Sequence, residues 1–270
     1  VARGWGTPAI VGAEDVRISG RQFTVLSGGE EIVVKEGDVI SIDGTSGEVM
    51  LGELELASPE PPPEFHTILK WADAVRKGKL GVRANADTGE DAANARELGA
   101  EGIGLCRTEH MFLAPDRLPV VRDMILASTP KQEQKALERL REVQEADFLE
   151  VLDAMDGLPV TIRLLDPPLH EFLPSVEELR IKEARKGLSK KDRALLDAAE
   201  AWAEHNPMIG TRGVRLGVIK PGLYAMQVRA LLSAAAQLRE QGKKPIVEIM
   251  IPLTVTRDEM ELARSWVQAE

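Results

Sequence analysis

The sequence predicts an α/β fold, a partial (β/α)8 TIM-type barrel of about five βα units behind a small β-rich region. Three observations carry this. Residues 1–56 hold short apolar runs such as FTVL, EIVV and DVISI, cut by glycines at 28–29, 37, 44 and 47. Short strands joined by tight turns have that texture. From residue 64 the pattern changes to helical periods alternating with short apolar runs. No dinucleotide-type glycine fingerprint follows any of those runs, which favours a barrel over a doubly wound sheet.

The elements follow in order. The stretch SPEPPP, residues 58–63, is a semi-rigid extended linker, because proline locks φ. It reads as a hinge or as a plain spacer. It separates a region at 1–57 from one at 64–270. Phe65, Ile68, Leu69, Ala72 and Val75 share one helical face that ends at Gly78. LGVRANA (80–86) reads as a strand, GEDAANARELGA (89–100) as a helix stopped at Gly99, and IGLCRTE as the next strand. Thr129 and Pro130 open a long helix as cap and first-turn pair. PVTIRLLD (159–166) is a third strand. Ser175 with Glu178 opens a helix, and another runs from about Ser189 to His205. NPMIGTRG (206–213) reads as a short fourth strand with a polar exit. Residues 222–242 form a strong helix, and PIVEIMIPL (245–253) a fully buried fifth strand. Thr256 and Glu259 make a capping-box pattern before a last helix. Five strands cannot close an eight-stranded barrel, so open edges and self-association are expected.

Of the 270 residues, 43% are hydrophobic, enough for a sizeable core. The net charge of −10 argues against a general nucleic-acid binder, yet allows a small positive pocket. The single cysteine, Cys106, excludes an internal disulfide and suits a reducing compartment such as the cytoplasm. No apolar run reaches the ~18 residues of a membrane span. The opening VARGWGTPAIVG lacks a signal-peptide layout and reads as mid-chain. The last helical stretch reaches Glu270 without a glycine stop, so the chain reads as cut at both ends.

In a parallel barrel the site lies at the carboxyl ends of the strands. Arg83 and Asn85 stand at the first. Arg107, Thr108 and Glu109 stand at the second. The third carries Arg163, Asp166, His170 and Glu171, and the fourth Gly210, Thr211 and Arg212. A guanidinium fork grips carboxylate or phosphate through paired, charge-assisted hydrogen bonds. Several in one mouth suggest a small anion with more than one oxyanion group, such as a phosphorylated carboxylic acid. A second reading pairs each arginine with a nearby acid, Glu109 or Asp166, merely to close the barrel. Cys106 alternates with Arg107, so it faces the other way and fills the core. His66 and His205 read as ordinary, while His110 and His170 support the mouth. No cluster has metal-ligand spacing.

GIGLCRTEHMF, RLLDPPLHEF, NPMIGTRGVRLG, PIVEIMIPL and the opening VARGWGTPAIVG resemble the phosphoenolpyruvate-utilising enzymes over nearly the whole chain. CRTEHMF and LLDPPLHEF look most like the branch that phosphorylates pyruvate with ATP and phosphate. Phosphoenolpyruvate synthases and the sugar-transport Enzyme I resemble it less. The resemblance implies a swivelling-domain histidine, phosphorylated at an ATP/AMP-binding domain, that exchanges its phosphoryl group with pyruvate and phosphoenolpyruvate at a barrel. Residues 1–57 would be the tail of the swivelling domain. Arg107 and Arg163 match the family's substrate arginines, and Arg212 a third basic contact. Asp166, His170, Glu109 and Asn85 would support them. The family's histidine falls upstream of VARG, and its Mg2+ ligands and proton-donating cysteine beyond Glu270. The chain alone is therefore expected to be inactive, and the full-length enzyme a homodimer without nucleic-acid or membrane partners. A phosphorelay protein that hands phosphate to another protein, or a non-catalytic half-barrel interaction protein, are the competing readings.

Overall fold

The computed structural model describes residues 8–55 and 63–270. Except for Pro63, the expected linker at 58–63 lies outside the described residues, as does most of the opening VARGWGTPAIVG. Contacts divide the chain into two compact units, residues 1–75 and 76–270.

In the first unit, β1 (Arg17–Ser19), β2 (Gln22–Ser27) and β3 (Glu30–Lys35) form an antiparallel meander. Ser27 pairs with Glu30, leaving Gly28 and Gly29 as a two-residue turn with φ of +62° and +88°. Positive φ at both positions matches the right-handed twist of a hairpin, and glycine takes it without steric cost. β4 (Ile40–Ile42) and β5 (Val49–Leu51) form a second antiparallel pair. The helix α1 (Pro63–Arg76) has the expected apolar stripe, but none of its residues is buried.

In the second unit four strands make a parallel sheet: β6 (Ala84–Asn85), β7 (Ile103–Arg107), β8 (Pro159–Arg163) and β9 (Ile246–Met250). Their order is β6-β7-β8-β9. Neighbours in sequence are neighbours in space, with no reversal of order, as in a barrel wall. The helix α2 (Gly89–Glu97) joins β6 to β7. Its cap Thr88 accepts the N–H of Asp91, and Glu90 and Asp91 sit in the first turn, where the helix dipole favours negative charge. The helices α3 (Thr108–Phe112), α4 (Leu118–Ile125) and α5 (Pro130–Ala154) lead to β8. Thr129 caps α5 at the N–H of Gln132, with Pro130 in the first turn. Then come a 3-10 turn (Leu169–Phe172), α6 (Val176–Lys186), α7 (Lys190–Ala201), α8 (Val214–Ile219), α9 (Pro221–Glu240) and, after β9, α10 (Arg257–Ala269). The capping box at Thr256 and Glu259 is formed in both directions. No helix among the described residues is long and apolar enough to cross a membrane.

One face of the sheet packs on α5 and α9. Ile103, Cys106, Val160 and Ile162 meet Phe148, Val151 and Leu152 of α5 and Ala230, Leu231 and Ala234 of α9. A second cluster lies around the carboxyl ends of the strands and includes Leu164, Leu165, Leu169, Phe172 and Tyr224.

The structure corrects the sequence reading in four places. LGVRANA contributes only Ala84 and Asn85 to the sheet. NPMIGTRG is a run of turns, so the described strands of the parallel sheet number four, not five. Its backbone donors go elsewhere: Thr211 N–H to the Glu204 carboxylate, and Gly213 N–H to the Asp166 carbonyl. Pro207 has no N–H to give. Third, β9 is not fully buried. Val247 and Ile249 face the helices, while Ile246, Glu248 and Met250 are exposed.

The fourth correction is Arg83, expected at the mouth. Its guanidinium instead reaches Glu248, at 2.5 Å and 3.1 Å, and the Thr161 hydroxyl at 3.3 Å. Thr161 and Glu248 are opposite each other in register, and the hydroxyl donates to the carboxylate at 2.6 Å. Gly104 leaves the lane open. A Cβ there would lie 3.3 Å from Cβ of Arg83. The hydrogen bond from Arg83, then that from Thr161, hold the Glu248 carboxyl down at about 2. The pair is therefore intact at neutral pH and is lost as pH falls through about 2. A carbon-detected NMR titration of Glu248 should show a midpoint near that value. Arg83→Ala should raise it toward 4.5, the ordinary value. An unchanged midpoint in that variant would show that Arg83 is not the cause.

Candidate functional site

Arg107 ends β7 and Arg163 ends β8, directly opposite each other in the parallel register. Both stand at carboxyl ends, as expected. Arg212 lies in the turn segment that crosses the end of β8. A carboxylate links the last two. Asp166 accepts from Arg212 Nη2 at 2.8 Å and Nε at 3.3 Å, and lies 3.3 Å from Arg163 Nη1. Arg163 Nη2 also donates to Glu109, three residues after Cys106 on the neighbouring chain segment. Asp166 and Glu109 are both buried. Glu109, Arg163, Asp166 and Arg212 thus form one chain of ion pairs across three segments, with Arg107 opposite Arg163 in the register.

The other expected residues fall nearby with weaker ties. His170 stands in the 3-10 turn with its Nδ1 buried and unbonded among the described residues. Asn85 is exposed at the end of β6. Cys106 faces away, fully buried in the helix-side core, and burial pushes its thiol far up from the ordinary range. It is packing, not a nucleophile.

Three residues that hold the arrangement were missed from sequence. The first is Asp87, buried just after β6. It accepts the backbone N–H of Arg107 at 2.7 Å, Nε at 3.1 Å and Nη2 at 2.6 Å. His110 Nδ1 lies 2.8 Å from the same Oδ2. Its signal was its place, the first acid after a strand. The others are Tyr224 and Gln227 on α9, one turn apart. The Tyr224 hydroxyl donates to the Leu165 carbonyl at 2.8 Å. Gln227 Oε1 accepts the Leu165 N–H at 2.9 Å, and its Nε2 donates to the Thr108 hydroxyl at 3.0 Å. Both are buried polar groups in an otherwise apolar helical stretch, which is the signal that could have found them. Burial pushes the Tyr224 phenol far up, so it stays protonated and a donor.

The segment with Arg212 is pinned by sterics as well. Gly213 has φ of +56°, and a Cβ there would lie 2.9 Å from both the Pro252 carbonyl and the Leu253 Cβ. The Asp166 carbonyl receives the Gly213 N–H at 2.8 Å, and the Pro252 carbonyl receives that of Val214 at 2.9 Å. Among the described residues no group of three or more His, Cys, Asp or Glu side chains could hold a metal. Asp87, Glu109 and Asp166 are engaged by arginines, so these residues do not fit a magnesium site.

Arginine forks backed by buried acids thus stand at the carboxyl end of a parallel α/β sheet. Residues 64–270 match the family model for the PEP-utilising enzyme, PEP-binding domain, and the chain belongs to that family. It is 48% identical over 261 residues to pyruvate, phosphate dikinase 1, chloroplastic, of Arabidopsis thaliana, covering 96% of this chain and 27% of the relative. Pyruvate, phosphate dikinase of Rhizobium meliloti is 45% identical over 270 residues, 100% of this chain and 30% of the relative. That of Entamoeba histolytica is 47% identical over 260 residues, 93% and 29%. The chain therefore spans under a third of the length of these relatives.

Replacing Gln227 with leucine should strand the Leu165 N–H and the Thr108 hydroxyl in the core. The expected loss is roughly 1–3 kcal/mol, the cost of an unsatisfied buried group. Urea unfolding of Gln227→Leu measures it. A loss below about 0.5 kcal/mol, the range of neutral surface changes, would mean that the amide is not what fixes the β8 exit.

Proposed function

We propose that residues 64–270 are the phosphoenolpyruvate- and pyruvate-binding part of a pyruvate, phosphate dikinase. The reaction interconverts ATP, phosphate and pyruvate with AMP, pyrophosphate and phosphoenolpyruvate through a phosphohistidine. The observation that carries the reading is the convergence of Arg107, Arg163 and Arg212 at the strand ends of a chain in this family. Phosphoryl transfer asks mostly for positioning and for charge neutralisation around the moving group. Arg107 and Arg163, side by side in register, would grip the phosphoryl and carboxylate groups. Arg212 would add a third contact. Glu109 and Asp166 would hold the forks in their plane, with His170 and Asn85 at the margin.

The rest of the reading concerns the longer polypeptide. Residues 1–57 would end the swivelling phosphohistidine domain, 58–63 would be one of its hinges, and 64–270 would begin the barrel. Mg2+ would be held, and ATP and AMP bound, by parts of the polypeptide outside these residues, as would the phosphorylated histidine. A homodimer is the expected assembly. A cytoplasmic setting is supported only by the single, buried cysteine, and the Arabidopsis relative is named chloroplastic.

The test is Arg163→Lys in the full-length enzyme. Lysine keeps the charge but loses the planar fork. Pyruvate phosphorylation should fall by two orders of magnitude or more, the scale of about 2.7 kcal/mol for one lost transition-state donor. Near-normal turnover would refute the role. The chain by itself should bind phosphoenolpyruvate weakly and with strong salt dependence, read by calorimetry, and should not exchange label between pyruvate and phosphoenolpyruvate.

A further inference from the structure

Asp87 meets Arg107 in a way that a surface ion pair does not. Its side chain is 9% exposed, against 38% for Arg107. The carboxylate takes the backbone N–H of Arg107 and one whole edge of its guanidinium, Nε together with Nη2. Nη1 donates to no group among the described residues. The arginine is thus gripped on one edge, while its other edge is left without a bonded protein partner among the described residues. No side chain caps α3, which begins at the next residue, so Asp87 also fixes where the strand hands over to the helix. Arg163 is held by different acids, Glu109 and Asp166. Arg107 therefore depends on Asp87 for its direction.

We propose that Asp87 is a positioning residue for the phosphoenolpyruvate site. It sets the plane and reach of the Arg107 fork, so that the free edge meets an oxyanion without first being ordered. The inference rests on the proposed function above. A long arginine side chain loses rotamer freedom when it binds. A buried bidentate partner removes that loss in advance, and ligand affinity rises accordingly. His110 Nδ1, 2.8 Å from the same Oδ2, adds a second contact to the carboxylate.

The experiment is a double-mutant cycle on the full-length enzyme, read as phosphoenolpyruvate affinity by calorimetry and as KM and kcat. Asp87→Asn should weaken phosphoenolpyruvate binding about tenfold. Arg107→Ala should weaken it at least as much. In the Arg107→Ala background, Asp87→Asn should add less than twofold, because residues acting through one another are not additive. A second readout guards against misfolding. The Arg107 Nε–H signal in nitrogen-edited NMR should be sharp and slow to exchange in the parent, and should broaden in Asp87→Glu, which keeps the charge but shifts the carboxylate by one methylene. An equal loss from Asp87→Asn with or without Arg107, or an unchanged Nε–H signal in Asp87→Glu, would overturn the inference while leaving the site in place. If neither Arg107→Ala nor Arg163→Ala alters phosphoenolpyruvate affinity, the site itself falls, and the inference with it.

Discussion

The exit of β8 is the constraint on which the rest of the site depends. Leu165 is pinned on both sides of its backbone, its N–H by Gln227 and its carbonyl by Tyr224. With that residue fixed, Asp166 follows in one place. Its side chain collects Arg163 and Arg212, and its carbonyl receives the Gly213 N–H. Two stretches far apart in sequence, 163–166 and 212–213, therefore meet at one aspartate. The clamp works because α9 lies against α5 and the sheet through Ala230, Leu231 and Ala234, mostly small residues that permit close approach. Hydrophobic burial on one side of the sheet thus sets polar geometry at its end. An alternative geometry would leave several buried polar groups without partners, each at a cost of about 1–3 kcal/mol.

Charge balance explains how a chain of net charge −10 can gather three arginines at one end of a sheet. Arg107, Arg163 and Arg212 each have a buried or nearly buried acid behind them. A guanidinium removed from water without such a partner would be strongly destabilising. The acids lower the local positive charge but fix direction. A ligand would meet oriented donors, not a diffuse basic patch. The two readings open at the level of sequence, anion site and structural ion pairs, thus share one geometry. They differ in what the outer edges of the guanidinium groups do, and membership of a phosphoenolpyruvate-binding family favours the first.

The parts legible in sequence were those governed by local chemistry. Caps at Thr129 and Thr256 stand where side-chain oxygens can take the first free N–H groups, whereas Ser175 begins its helix without a side-chain cap bond. Glycine stops follow helices at Gly78 and Gly99, both at positive φ. The positions of Arg107, Arg163 and Arg212 were legible because each follows a short apolar run and so stands at a strand end or beside one. The alternation that turned Cys106 from Arg107 also held. What was not legible depends on partners remote in the chain. Asp87 gains its meaning from Arg107, twenty residues on. Gln227 and Tyr224 are polar residues in an apolar helix until Leu165 is placed against them. NPMIGTRG has the composition of a strand with a polar exit, but its donors are taken by Glu204 and by the end of β8.

Arg83 shows why side-chain parity indicates a face of the sheet but not a destination. Arg83 and Asn85 are two residues apart, so both were assigned to one face and one mouth. Which layer of that face a long side chain reaches is decided by the size of its neighbours. Gly104 on β7 leaves no side chain in the way, and beyond it Thr161 and Glu248 offer a hydroxyl and a carboxylate in register. Arg83 takes that route, reaching across β7 to β8 and β9 and fastening the sheet below its carboxyl end. A bulkier residue at 104 would crowd Arg83 in that lane. The separation between the Arg83 layer of charge and the arginines above it therefore rests on one missing side chain. That missing side chain leaves Arg107, Arg163 and Arg212, without Arg83, at or beside the carboxyl ends of the strands.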